Sequence, residues 1–157
     1  MPPLPIHHRV LADLGRALSL ELSAVQHYLT LSVLIDAWGD SSTADRFRRE
    51  TVEEMQHAER IVKRMVSLGV APGASQLQPA AHASDLAGLL RLSLVLEEEL
   101  VSHYGEAVAF CQRQGDVENQ AFFQDLWQEE KQHGEALESW LTSLESTSSR
   151  SLTRPAV

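Results

Sequence analysis

The segment EEMQHAE at residues 53–59 has a near-copy, EEKQHGE, at residues 129–135, and five of the seven positions are identical. Each copy contains the pattern Glu-x-x-His. Residues three apart on an α-helix lie on the same face, so each pattern would present a carboxylate beside an imidazole. The sequence therefore predicts two helices that carry the same polar pair. The pairs are Glu54 with His57 and, 76 residues later, Glu130 with His133.

The spacing of 76 residues also relates other parts of the chain. Glu97 follows Glu21 at this distance, and Tyr104 follows Tyr28. A repeat of this length indicates two similar helical hairpins. Packed with pseudo-twofold symmetry, the hairpins would bring their glutamates and histidines to one level of a bundle.

Apolar residues recur with helical spacing through four blocks of the chain, and the alternation typical of strands is absent. The only long connection is the Pro-, Gly- and Ala-rich segment 70–83. Two short connections and one long one predict an all-α, ferritin-like antiparallel four-helix bundle with a long crossover between helices 2 and 3. The predicted helices cover residues 8–38, 41–68, 84–115 and 116–144.

The bundle is expected to occupy residues 1–145, followed by a flexible polar tail at residues 146–157. The tail sequence, STSSRSLTRPAV, is rich in serine and threonine, lacks helical periodicity and contains Pro155. Such a composition is typical of a segment that buries little apolar surface. We therefore expect the last helix to end near Glu145.

Glutamates replace leucine or valine near the middle of all four predicted core faces. Burying an unpaired carboxylate is costly, and two histidines do not neutralise four glutamates. One or two divalent cations would supply the missing positive charge. The alternative is a buried polar network in a purely structural bundle. The candidate metal ligands are Glu21, Glu54, His57, Glu97, Glu130 and His133.

Composition excludes several other classes of protein. The chain has 157 residues, of which 43% are hydrophobic, which is enough for one domain with a real core. Its net charge of −9 disfavours nucleic acid and favours cations as partners. The single cysteine, the lack of a signal-like start and the lack of a long uninterrupted apolar run predict a cytoplasmic protein that does not span a membrane.

These motifs resemble those of the bacterioferritins. The matching stretches are ELSAVQHY at residues 21–28, EMQHAE at 54–59, Glu97 with EAV at 106–108, and EEKQH at 129–133. The resemblance runs from about residue 8 to residue 144. It implies that Glu54 and Glu130 bridge two metals. It also implies that Glu21 and His57 complete one metal position, and that Glu97 and His133 complete the other.

The resemblance implies ferroxidase activity, in which two Fe(II) ions are oxidised by O2 or H2O2 for iron storage and detoxification in a 24-subunit shell. Carboxylate and imidazole ligands also suit manganese and zinc, so the donor set alone leaves the metal open. The resemblance places Tyr28 beside the centre, where it would hydrogen-bond a ligand or donate an electron in catalysis. The alternative for Tyr28 is a packed aromatic residue.

Met55 falls on a second apolar stripe of its helix, with Val52, Val62 and Val66. A second apolar face indicates a partner helix and therefore a homodimer. The resemblance implies that Met55 binds a haem b shared across that interface. The alternative is a methionine that only fills the interface.

Two other functions are compatible with the sequence. Bacterioferritins usually end in a short fifth helix that lines a channel of the shell, and the sequence after Glu145 does not predict one. The chain would then be a dimeric di-metal oxidase or peroxidase that stores nothing. It could also be a cargo protein, encapsulated in another shell, whose tail docks there.

Overall fold

The computed structural model describes residues 5–80 and 82–152, with side chains to residue 148. The described part consists of four α-helices and contains no strand. This confirms the predicted all-α bundle, and the observed helix bounds lie within a few residues of the expected ones except at the end of the last helix. The helices are α1 (His8–Ala37), α2 (Ser41–Ser67), α3 (Leu86–Gln114) and α4 (Val117–Leu152).

Aspartate side chains start the second and third helices. The Asp40 carboxylate accepts a hydrogen bond from the Thr43 amide at 3.1 Å, and that of Asp85 accepts one from Gly88 at 2.8 Å. Each cap satisfies an amide in the first turn that has no partner within the helix. At the other end of α3, Gly115 has a φ of 68°, the left-handed conformation that favours glycine at a helix terminus.

The helices form two hairpins, α1 with α2 and α3 with α4, which meet along α1 and α3. The largest fully buried side chains are aromatic and lie near the middle of the bundle: Tyr28, Phe47, Tyr104 and Phe123. The long crossover between α2 and α3 lies along α1. Its Gln76 and Gln78 amides donate to the hydroxyls of Ser19 and Ser23 at 3.1 and 2.9 Å.

The last helix is longer than the sequence indicated. We expected it to end near Glu145, but α4 continues to Leu152, so the predicted end of this helix is wrong. The flexibility of residues 146–157 stays a prediction. Serine and threonine are tolerated inside a helix where their hydroxyls bond to carbonyls of the preceding turn. Thr147 donates to the Ser143 carbonyl at 3.0 Å and Ser148 to the Leu144 carbonyl at 3.2 Å, so these side chains bond within the helix. Residues 153–157 lie outside the described part of the chain.

Helix α1 is long and apolar enough, by length and composition, to cross a membrane. However, 56% of its most apolar window is buried inside the bundle. A core helix passes the same test, so this observation is weak evidence for a membrane span.

Candidate metal centre

The six predicted ligands come together in the middle of the bundle, with contributions from all four helices. Their ligand atoms form two groups, within each of which the atoms lie within 4.8 Å of one another. All four glutamates are buried. One group contains Glu21, Glu54, His57 and Glu130, and the other contains Glu54, Glu97, Glu130 and His133.

His57 turns its Nδ1 atom toward the first group. This nitrogen lies 2.6 Å from Glu130 Oε1, 3.4 Å from Glu54 Oε2 and 3.6 Å from Glu21 Oε2. The contacts join α2 to α1 and α4. Three carboxylates from three helices therefore converge on one ring nitrogen.

His133 is arranged in the same way in the second group. Its Nδ1 atom lies 2.9 Å from Glu54 Oε1, 3.0 Å from Glu97 Oε1 and 3.7 Å from Glu130 Oε2. Glu54 and Glu130 thus contribute to both groups, whereas Glu21 and Glu97 each contribute to one. This geometry follows the 76-residue repeat.

Each hairpin donates a tyrosine hydroxyl to the other. Tyr28 donates to Glu97 Oε1 and Tyr104 donates to Glu21 Oε1, both at 2.5 Å. Both tyrosines are fully buried. We predicted Tyr28 beside the centre but did not assign Tyr104 there. The repeat contained the signal, because Tyr104 is the counterpart of Tyr28.

Burial changes the protonation of the site. It raises the pKa of both Glu21 and Glu97 to about 8, against partial opposition from the neighbouring histidines. Burial opposes the charged forms of His57 and His133, but the surrounding carboxylates outweigh it and raise both pKa values. The metal-free cluster therefore holds protons that a bound cation would displace.

The donor set fits divalent cations. Glu54 and Glu130 have both carboxylate oxygens buried without a properly aligned hydrogen bond, although histidine nitrogens lie within ion-pair distance. Glu21 and Glu97 each have one oxygen on a tyrosine and the other, Oε2, without a partner. Buried oxygens in this number need a compensating charge, and carboxylates with imidazoles are ligands for iron, manganese and zinc.

A depression of about 500 Å³ between α2 and α4 leads to the two histidines. Glu50 contacts His133 Nε2, and Glu129 lies 3.4 Å from His57 Nε2. Arg60 forms an ion pair with Glu129. Sequence reasoning did not single out Glu129 or Arg60, because outward contacts between side chains leave no periodic signal.

Met55 does not belong to this cluster. It lies on the outer face of α2, where it is 49% exposed beside the exposed side chain of Val52. Its predicted role in binding haem therefore concerns a different surface from the six-residue centre.

An antiparallel bundle with two Glu-x-x-His motifs and two further core glutamates is the arrangement of ferritin-like dinuclear carboxylate proteins. The family model for the ferritin-like domain matches residues 11–147. The bacterioferritin of Rhodobacter capsulatus is 30% identical over 134 residues, which cover 85% of this chain and 83% of that protein. The chain therefore belongs to the ferritin-like family and, within it, to the bacterioferritins.

Other comparisons agree. The bacterioferritin of Brucella melitensis is 29% identical over 136 residues, covering 87% of this chain and 84% of that protein. A solved structure of the R. capsulatus protein, described as having a metal-free dinuclear site and haem iron, superposes with a TM-score of 0.86 at 28% identity and covers 91% of this chain and 89% of that one. Mycobacterium tuberculosis bacterioferritin has the same fold, with a TM-score of 0.85 at 24% identity and coverage of 91% and 90%.

Proposed function

We propose that this chain is a ferroxidase of the bacterioferritin type, which oxidises Fe(II) with O2 or H2O2 for iron storage and detoxification. The observation that carries the proposal is that two groups of ligand atoms share Glu54 and Glu130. Shared carboxylates would hold two cations close together. Glu21 with His57 would complete one position, and Glu97 with His133 the other.

The chain's own residues bind and orient the two cations. Tyr28 and Tyr104 each fix one oxygen of a terminal glutamate and leave its other oxygen available to a metal. Two Fe(II) ions held together supply two electrons, which is the number needed to reduce H2O2 to water or O2 to H2O2. The protons displaced from the cluster are available for that reduction.

The depression above the histidines is the proposed route for Fe(II). Glu50 and Glu53 line it, and their negative charge would raise the local concentration of cations. The net charge of −9 acts in the same direction. Iron storage itself would require assembly into a shell such as the resemblance implies.

Aerobic loading with Fe(II), followed by desalting, tests the proposal. We expect many more than two irons per chain if the protein stores iron, and loss of rapid oxidation in a Glu54→Ala, Glu130→Ala variant. Glu53→Gln is the comparison variant and should slow oxidation far less, because Glu53 lines the depression but is not among the six cluster residues. No rapid oxidation and no iron binding in the unmodified protein would contradict the proposal.

One observation favours a second function, that of a non-storage di-metal oxidase. In the part of the chain that the structure describes, residues 146–152 continue α4 and do not form a separate short helix. A protein that forms only dimers and retains two irons per chain would support this function. Native mass measurement separates a dimer from a large shell.

Haem b is a further proposed cofactor, bound by Met55 between two copies of the chain. Met55 fits this role because its thioether lies half-exposed on an apolar face of α2, and methionine sulfur is a haem ligand. Purification with added haem should give a Soret absorption that Met55→Leu shifts or removes. An unchanged spectrum in that variant would contradict haem ligation by Met55.

A further inference from the structure

We propose that the two metal positions are unequal: the position with His133 takes the first divalent cation, the position with His57 takes the second, and Arg60 sets the difference. This inference rests on the proposed dinuclear site. It concerns the residues that contact the outer nitrogens of the two histidines.

Both histidines present Nδ1 to the cluster and Nε2 to a carboxylate outside it. A carboxylate on the distal nitrogen fixes the tautomer and ring orientation of a metal-binding histidine and raises its basicity. Glu50 would do this for His133, and Glu129 for His57. The two carboxylates are thus positioning residues, and their charges act on neighbouring metal positions.

The charge of the carboxylate beside His57 is neutralised, and its side chain is exposed to solvent. Glu129 forms its ion pair with Arg60, and its side chain is 47% exposed. Water screens an exposed charge, and the guanidinium cancels it. The His57 position therefore gains little additional attraction for a cation.

Among the described residues, the carboxylate beside His133 pairs only with that histidine, and it is shielded from water. The Glu50 side chain is only 15% exposed. Across the described residues, no lysine or arginine forms an ion pair with it. A charge in such a place is poorly screened, so it attracts a nearby cation more strongly.

This difference is a departure from the internal repeat. The six ligands and both tyrosines keep their counterparts 76 residues away, but Glu50 corresponds to Leu126 and Arg60 corresponds to Ala136. The counterpart of Glu129 is Glu53, for which the described structure contains no ion pair. The residues inside the centre therefore follow the internal repeat, whereas the charged residues outside it do not.

The order of binding follows from these charges. A first cation at the His133 position meets the shared carboxylates and the unscreened Glu50. Once it is bound, Glu54 and Glu130 are partly neutralised, so the second cation binds less strongly. The nearby Arg60 weakens the second step further.

Titration of the metal-free protein with Co²⁺, followed by calorimetry and visible absorption, tests the proposal. We expect two resolved steps of one Co²⁺ per chain. Glu50→Gln should weaken the first step by about 10–100-fold, which is the usual effect of removing an outer partner of a metal-binding histidine. Arg60→Gln should tighten the second step by about tenfold, and Arg60→Lys should restore the original second step.

Glu53→Gln is the matched control, since it removes the same charge from the same depression without touching a histidine. It should weaken the first step far less than Glu50→Gln does. Equal weakening in Glu53→Gln and Glu50→Gln would overturn the proposal, because the effect would then be general attraction of cations.

Mn²⁺ gives a second readout that does not depend on activity. One equivalent should produce the electron paramagnetic resonance signal of isolated Mn²⁺, and a second equivalent should replace it with that of a coupled pair. A coupled pair in about a quarter or more of the chains at one equivalent, which is the share expected of two equal positions, would overturn the inequality and leave the dinuclear site intact. Failure of the unmodified protein to bind either metal would instead remove the proposed function.

Discussion

The two hairpins are alike inside and different outside. Within the bundle each contributes two glutamates, one histidine and one tyrosine to the centre. On the outside, the α1–α2 hairpin exposes a set of large apolar residues, whereas the helices of the α3–α4 hairpin expose only Val95 and Val117 among their described side chains. The apolar set on the helices of the first hairpin consists of Leu29, Val33, Val52, Met55 and Val66.

The comparison separates two kinds of constraint. A metal centre demands particular donor atoms at particular places, so the repeat survives where the hairpins face each other. The outer surfaces carry no such demand, and we predict that the apolar face of α1–α2 meets a second copy of the chain.

Removing ligands should give the largest effect. Glu54→Ala should abolish binding of both metals, because Glu54 belongs to both groups of ligand atoms. Glu21→Ala and Glu97→Ala should each lose one metal and retain the other, because each belongs to a single group. Metal analysis after Co²⁺ loading measures the stoichiometry. Two metals retained in Glu54→Ala would break the equivalence of the hairpins at the centre.

Introducing a charge on an outer face should have the next largest effect, and only on the α1–α2 hairpin. Val66→Glu on α2 should dissociate the expected homodimer, because the charge would be buried against the partner. Val95→Glu on α3 is the control, since a valine of similar exposure there lies outside the apolar face. Native mass measurement compares the two. Dissociation by both variants, or by Val95→Glu alone, would refute the assignment of the interface.

The sequence predicted the residues of the metal centre better than the contacts on the outer surface of the bundle. Helical periodicity identifies the residues that face the core, and the repeat links Glu21 to Glu97 whatever the details of packing. The contact of Arg60 with Glu129 depends on how two helices are rotated and on one long side chain, which periodicity does not encode. The continuation of α4 differs from the prediction because a segment rich in serine and threonine is also compatible with a helix, in which Thr147 and Ser148 bond to the preceding turn.

The pH dependence of stability should be shared by both hairpins. In the folded metal-free protein the pKa of Glu21 and of Glu97 is about 8, above the ordinary value of 4.5. The contribution of these two glutamates to the stability of the folded protein is therefore fully present below pH 4.5 and is lost as the pH rises through 8.

We accordingly expect the metal-free protein to unfold at a lower temperature at pH 9 than at pH 5. The slope is about 1.4 kcal/mol per pH unit for each proton that is lost. Calorimetry with and without Zn²⁺ measures it. The loaded protein should lack this loss, because the metal replaces the protons and its binding strengthens as the pH rises. Equal pH dependence of the two forms would contradict the account.

The smallest difference is expected between the two tyrosines. Tyr28→Phe and Tyr104→Phe each remove one buried hydroxyl from a glutamate oxygen, at a cost of about 1–3 kcal/mol in the free energy of unfolding. The two costs should agree because both hydrogen bonds are 2.5 Å long and both tyrosines are fully buried. Chemical denaturation of the metal-free variants measures them.

The rate of Fe(II) oxidation tests whether Tyr28 and Tyr104 are also equivalent in catalysis. Tyr28 stacks on Phe47 with ring centroids 6.1 Å apart and lies 5.6 Å from the His133 ring, whereas Tyr104 meets Phe123 in a tilted arrangement at 6.4 Å. If Tyr28 donates an electron, Tyr28→Phe slows oxidation more than Tyr104→Phe while both variants retain two metals. Equal slowing would assign both tyrosines the same task of holding a glutamate, and the hairpins would then be equivalent in every contact that reaches the metals from inside.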